Sequence, residues 1–97
     1  VRILPLGDSI TYGYVTQIDP TAPGYRGPLY DKLSASGVLV DLVGQYKTGP
    51  DTLLDRDHQG YPGLRADELI GWVPSIIDAQ KPDVVLLMIG TNDVLQE

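Results

Sequence analysis

With 97 residues the chain has room for one domain and one buried core, which excludes multi-domain readings. Seven Lys and Arg against thirteen Asp and Glu leave a net charge of −6, which argues against nucleic acid and anionic membrane surfaces and favours an uncharged or weakly charged substrate. The absence of Cys excludes a disulfide framework and a thiolate zinc site, and leaves the compartment open. No apolar run approaches the ~18 residues of a membrane span, and no charged start followed by a signal-type apolar stretch is present. The chain opens inside what reads as a strand, so any leader is expected to have been removed already. Tyr occurs six times and Phe never, a bias shared by Tyr-lined sugar clefts and by many ordinary cores.

The first element is the apolar run VRILPL (1–6), a strand that leads directly into Gly7, Asp8 and Ser9. In YRGPLYDKLSASG, Tyr25, Leu29 and Leu33 recur every four positions and Gly37 stands where a helix C-cap is expected. Gly27 and Pro28 delay the start, which puts the first helix at 28–36. VLVDLVG (38–44) reads as the second strand. The run from Gln45 to Gly63 has no clear period and is rich in Gly, Asp, Pro and Tyr, so it reads as a long loop of the kind that carries function. In ADELIGWVPSIIDAQ, Leu69, Ile70, Val73, Ile76 and Ile77 fall on one helical stripe. Pro74 removes a backbone donor there, which predicts a break near Trp72 and Val73.

DVVLLMIG (83–90) is almost continuously apolar, as expected of a central parallel strand covered on both faces and not of an edge. The alternation predicts an α/β fold whose parallel sheet has three strands, the first lying between the other two. A right-handed walk through them puts the ends of the first and third strands on the same side, where open α/β sheets hold their ligands. Ser9 and Asn92 are expected to meet there.

Gly7, Asp8 and Ser9 after a strand allow two readings. All three are turn and cap residues for reasons unconnected with catalysis, yet a serine in a strand-to-helix turn also presents its hydroxyl to an open pocket. Two further blocks bear on the choice: the third strand ends in IGTND (89–93), and the long loop ends in HQGYPG (58–63). Together, in this order and across the whole chain, GDSITYG, a loop glycine and GTND resemble the SGNH hydrolases, also called the GDSL esterase/lipase family. The resemblance implies a three-layer, flavodoxin-like parallel sheet and a serine esterase working through an acyl-enzyme, with no metal or cofactor and an extracellular location. Ser9 matches the nucleophile, Gly63 the loop glycine whose N–H donates to the oxyanion, and Asn92 the side-chain amide donor. Gly63 is preferred to Gly60 because the family's glycine usually lies five residues after a polar residue, here His58.

GYRGPLYDKL, VDLVGQ, HQGYPG and KPDVVLLMIGTND are similar, more specifically, to the microbial carbohydrate esterases of family three, which remove acetyl groups from xylan. On that basis Asp8, Arg26, His58 and Tyr61 are candidates for contact with an acetylated carbohydrate or another small ester. Each has a structural alternative: local backbone bonding for Asp8, core packing for Arg26 and for Tyr61 with Trp72, and a rim position for His58. Asp93 is expected to anchor the turn after the third strand. Asp51, Asp55, Arg56 and Asp57 read as a solvated charge run without a metal-ligand spacing.

The chain departs from the family in one respect. The family's general base is a His in a late Asp-x-x-His block, whereas here the single histidine is His58 and the sequence ends at Glu97 without such a block. Residues 1–97 are therefore expected to be the N-terminal portion of one SGNH domain, with the remaining C-terminal part as its partner. That part should hold two further strands and helices, with the Asp and His near its end. The competing readings are a broader short-chain esterase, lysophospholipase or thioesterase, a non-catalytic carbohydrate-binding relic, and a flavodoxin-like phosphate-binding module. The last is disfavoured because the loop after the first strand has no phosphate-loop pattern.

Overall fold

The computed structural model describes residues 1–13 and 24–96. Along them run β1 (Arg2–Gly7), α1 (Ser9–Tyr12), α2 (Arg26–Ala35), β2 (Asp41–Leu42), β3 (Tyr46–Lys47), β4 (Asp57–Gly60), α3 (Ala66–Ile70), α4 (Val73–Gln80), β5 (Val84–Met88) and α5 (Thr91–Leu95). β1 is the axis of the sheet. On one side it pairs in parallel with β5, from Ile3 opposite Val84 to Gly7 opposite Met88. On the other side β2 pairs with its start, Ile3 opposite Leu42, and β4 with its end, Gly7 opposite Gly60, both in parallel. β3 alone runs antiparallel, pairing Tyr46 with His58 of β4.

Pro5 sits inside this central strand, a position that ordinarily loses a ladder hydrogen bond. The carbonyls of Val1, Ile3 and Gly7 accept from Asp41, Val43 and Tyr61, all on the β2/β4 side, whereas the Arg2 carbonyl accepts from Asp83 on the β5 side. Backbone groups alternate sides along a strand, so Pro5 directs its missing N–H into the interval between the end of β2 and the start of β4. The β1–β2 ladder ends there, since its next bond would need the N–H that Pro5 lacks.

Helices lie on both faces of the sheet and leave β5 partly open on each. Leu4 and Leu6 of β1 form one buried cluster with Val43, Leu64, Leu69 and Ile76, so α3 and α4 cover that face. On the opposite face Ile10 of α1 and Tyr25, just before α2, line a cleft together with Leu86 and Met88 of β5. The three-layer α/β architecture expected from the sequence is the observed one, and the second helical run does break between Ile70 and Val73, with Pro74 in the first turn of α4.

Several elements differ from expectation. The loop 45–63 contains β3 and β4, because polar residues there pair by backbone and not by an apolar pattern. The second strand shrinks from 38–44 to Asp41–Leu42, since β4 takes over the flank of β1 beyond Ile3. The first helix begins at Arg26, and its first two residues, Arg26 and Gly27, are buried. Two short helices, α1 and α5, follow β1 and β5 directly. Finally, β5 has one strand neighbour among the described residues and is not interior: Val84, Leu87 and Met88 are 41%, 59% and 48% exposed.

Helix α1 presses closely onto the strand ends, which requires glycine at two positions. A Cβ on Gly7 would meet the Met88 carbonyl and, at 2.7 Å, the Thr11 hydroxyl, and one on Gly60 would stand 2.6 Å from the Tyr12 nitrogen and 3.0 Å from the Asp8 carbonyl. Gly60→Ala is expected to destabilise the fold by ~1–3 kcal/mol through overpacking against backbone. Gly71→Ala, at φ −71° in open space, should be neutral or slightly stabilising. Chemical denaturation of the two variants checks this, and equal stabilities would show that the close approach is not strict.

Candidate active site

Ser9 is the first residue of α1, directly beyond the end of β1, and its side chain is partly exposed. The one-turn helix is held at both ends. The Asp8 carboxylate accepts from the Ile10 N–H at 3.0 Å, and Gly13, left-handed at φ 114°, donates its N–H to the Ser9 carbonyl at 3.0 Å. Asp8 is buried, and its second oxygen has no hydrogen-bond partner among the described residues. Asp8 is therefore a cap, not a group open to substrate.

Gly63 and Asn92 follow the ends of the two strands that neighbour β1. Gly63 lies three residues beyond β4 and Asn92 four beyond β5, and both strands end level with Gly7 in the register. The loop and the last helix are joined by side chains. The Asn92 amide donates to the Leu64 carbonyl at 3.0 Å, the Asp93 carboxylate accepts from the Ala66 N–H at 3.0 and 3.2 Å, and the Gln96 amide donates to the Gly63 carbonyl at 3.1 Å. Asp93 thus anchors α5 to the start of α3, a longer reach than the local turn expected of it. Gly63 is exposed at φ 81°, with open space where a Cβ would lie, whereas Gly60 is buried under α1. Of the two glycines, only Gly63 stands at an open surface.

Arg26 and His58 are both fully buried, which is the core-packing alternative for Arg26 and departs from the rim or substrate-facing position expected of His58. The Arg26 guanidinium donates to the carbonyls of Thr11 (2.9 Å), Tyr12 (3.0 Å), Thr48 (2.9 Å) and Arg56 (3.0 Å), and burial lowers its pKa from the ordinary value. His58 is in β4, not on a loop rim. Its Nδ1 accepts from the Gly60 N–H at 2.9 Å, which assigns the proton to Nε2 and makes that nitrogen the donor to the Thr48 hydroxyl at 2.6 Å. Both ring nitrogens are engaged, so His58 is unsuited to serve as a base for Ser9. Burial, and secondarily the Arg26 charge, push its pKa from 6.5 down to about 3.

That shift has a definite sign. Between pH 6.5 and about 3 the unfolded chain carries a proton on His58 that the folded chain does not, so acidification through this window destabilises the fold. His58→Gln, which keeps a donor toward Thr48, is expected to lose less stability than the wild type over the same interval. Denaturation midpoints at a series of pH values check this, and parallel profiles would rule out a buried neutral imidazole.

Tyr61 is half-buried against the main core, its hydroxyl accepts from the Gln59 amide at 2.7 Å, and its ring meets Trp72 edge-on at 5.1 Å between centroids. Trp72 itself is 45% exposed, so the pair has one packed and one open member. The charge run is also less solvated than expected: Asp55 accepts from the Leu42 N–H at 2.7 Å, and burial raises its pKa. Thr48 links Arg26 and His58, and a lone Thr before Gly-Pro carries no sequence signal of that role. Among the described residues no three His, Asp or Glu side chains come together in a way that can hold a metal ion.

The comparisons with known proteins agree with this architecture. Residues 6–97 match the GDSL-like Lipase/Acylhydrolase family. A multidomain esterase of Ruminococcus flavefaciens is 35% identical over 116 residues, which cover 97% of this chain and 14% of that protein. Among solved structures, a Clostridium thermocellum family 3 carbohydrate esterase superposes with a TM-score of 0.92 at 35% identity, over 99% of this chain and 46% of its own. A family 3 carbohydrate esterase from Talaromyces cellulolyticus gives 0.75 at 29% identity, over 97% of this chain and 45% of its own. The chain thus spans about half the length of the solved structures it matches and a smaller part of the multidomain esterase. With three parallel strand ends carrying GDS, a loop glycine and GTND, and a family match over nearly its whole length, the chain belongs to the GDSL-like lipase/acylhydrolase family.

Proposed function

We propose that the chain supplies the nucleophile and the oxyanion-binding groups of a serine esterase acting on acetylated carbohydrate. The observation that carries this reading is the register: β4, β1 and β5 end level with one another, and Gly63, Ser9 and Asn92 follow those ends. In the proposed reaction the Ser9 Oγ attacks the ester carbonyl carbon while a base removes its proton. The carbonyl π electrons move onto oxygen, where the N–H groups of Ser9 and Gly63 and the Asn92 amide stabilise the charge. Collapse expels the alcohol, which takes the proton, and leaves Ser9 acylated. Water, deprotonated by the same base, releases the acid and restores the serine.

The base is assigned to a His in an Asp-x-x-His block of the remaining part of the same domain, since His58 has both nitrogens engaged. An acetyl substrate is favoured by the similarity to family 3 carbohydrate esterases and to an acetyl esterase, a serine-to-alanine mutant solved with acetate ion, which is 28% identical with a TM-score of 0.75. An extracellular location goes with that substrate. The remaining part of the domain is assigned to β5. One cleft of about 390 Å³ lies along it beside Ile10 and Tyr25, and another of about 300 Å³ lies beside Leu69, Ile70 and Val73. Full burial of an apolar side chain is worth ~1.5–3 kcal/mol, and the half-exposed side chains of this strand would gain about half of that on being covered.

In the full-length protein, Ser9→Ala is expected to abolish hydrolysis of acetylated xylan with the fold intact by circular dichroism. Asn92→Ala should lower kcat ~10²-fold with a smaller change in KM, because its amide acts on charge that develops only in the transition state. Undiminished turnover by Ser9→Ala would overturn the assignment, and faster hydrolysis of long-chain than of acetyl esters would favour a lysophospholipase or broader esterase. The 97 residues expressed alone should self-associate through β5, as light scattering would read. A soluble monomer with full esterase activity would remove the need for a second part.

A further inference from the structure

We propose that Arg26 is a positioning residue for Ser9, acting with Thr48 and His58 through the carboxyl end of α1. The inference rests on Ser9 being the nucleophile. A helix of four residues satisfies very few of its own carbonyls. The Asp8 and Ser9 carbonyls receive the N–H groups of Tyr12 and Gly13, whereas those of Thr11 and Tyr12 lie in the last turn of the helix, before the left-handed Gly13. Arg26 takes both, Nε on Thr11 at 2.9 Å and Nη2 on Tyr12 at 3.0 Å. Its remaining bonds reach the Arg56 and Thr48 carbonyls, so the same planar fork ties α1 to the segment that leads into β4.

Thr48 and His58 complete the arrangement with a consistent direction of donation. His58 Nε2 donates to the Thr48 hydroxyl at 2.6 Å, and the Thr48 hydroxyl donates to the Tyr12 carbonyl at 3.2 Å. Nδ1 holds the Gly60 N–H, and Gly60 is the residue whose missing Cβ lets Tyr12 approach. The Tyr12 ring stacks edge-on against His58 at 5.3 Å between centroids. Tyr25 adds a bond from the helix α2 side, its hydroxyl 3.0 Å from that of Thr11. The short helix that bears Ser9 is therefore held by the buried Arg26 of α2 and His58 of β4, together with the half-buried Thr48 of the loop between β3 and β4 and Tyr25 before α2. Arg26 touches no substrate: it is fully buried, and its effect passes through backbone.

The test uses the full-length protein. Arg26→Lys replaces the fork with a single ammonium that cannot span four carbonyls, and Thr48→Val removes the shared hydroxyl at nearly constant volume. Both are expected to lower kcat, ~10²-fold and ~10-fold respectively, with KM changed less than about two-fold, since a displacement of the nucleophile acts on the chemical step. A fluorophosphonate ester, which is attacked by the serine oxygen at phosphorus with loss of fluoride, reads Ser9 directly. Its rate of covalent attachment should fall by the same factors. Wild-type protein that takes up no label at Ser9, located by mass spectrometry, would overturn the nucleophile assignment and this inference with it. Labelling of the wild type at Ser9, with Thr48→Val folded and unchanged in both kcat and labelling rate, would overturn the positioning role alone. If Arg26→Lys does not fold, Thr48→Val decides the matter.

Discussion

The parallel pairing of β1 on both of its sides is the constraint on which the rest of the structure depends. A strand with neighbours on each side must place every backbone donor and acceptor, and β1 does so although it contains Pro5, because β2 and β4 divide its flank and leave an interval at that residue. The same division brings the end of β4 level with the ends of β1 and β5. Three chain segments thereby leave the sheet at one edge, each carrying one of the candidate groups. Parallel strands make this possible, since their carboxyl ends all lie on the same side.

The second constraint is the depth at which α1 sits. Gly7 and Gly60, opposite each other in the register, remove the two side chains that would hold the helix away from the sheet. The strand-to-helix turn can then be as short as Asp8 alone, and the candidate nucleophile follows the sheet edge without a flexible connection. Buried polar groups accompany so close an approach: Asp8, Thr11, Arg26, His58 and Gln59 are all withdrawn from water. Such groups are costly unless bonded, and most of them meet backbone partners here. The polar interior beneath α1 and the apolar core beneath α3 and α4 serve different ends, one orienting the strand-to-helix turn and the other supplying most of the apolar burial.

β5 shows how strand composition and strand environment can part company. Its residues are apolar on both faces, a pattern that belongs to the interior of a sheet, yet among the described residues it has only β1 beside it. The matching solved structures are about twice as long as this chain. The proposed division of labour, with nucleophile and oxyanion groups here and the base elsewhere in the domain, is consistent with an exposed apolar strand between the two parts.

The sequence by itself determined the architecture, because apolar periodicity, cap residues and Pro74 are local signals: the two main apolar strands, the helices around 26–35 and 66–80 and the break between the latter were all legible. It also singled out Ser9 and Asn92 as candidates behind two apolar strands, whereas Gly63 was a candidate through the family resemblance alone, because the strand it follows has no apolar pattern. Tertiary structure alone decided the roles of the polar residues. Arg26 and His58 look like surface groups in a sequence because charge and a titratable ring normally seek water, and only the carbonyls and hydroxyl brought to them from distant segments make burial affordable. β3 and β4 were invisible for a related reason. Their pairing is made by backbone groups, which every residue carries, and backbone pairing leaves no trace in the order of side chains.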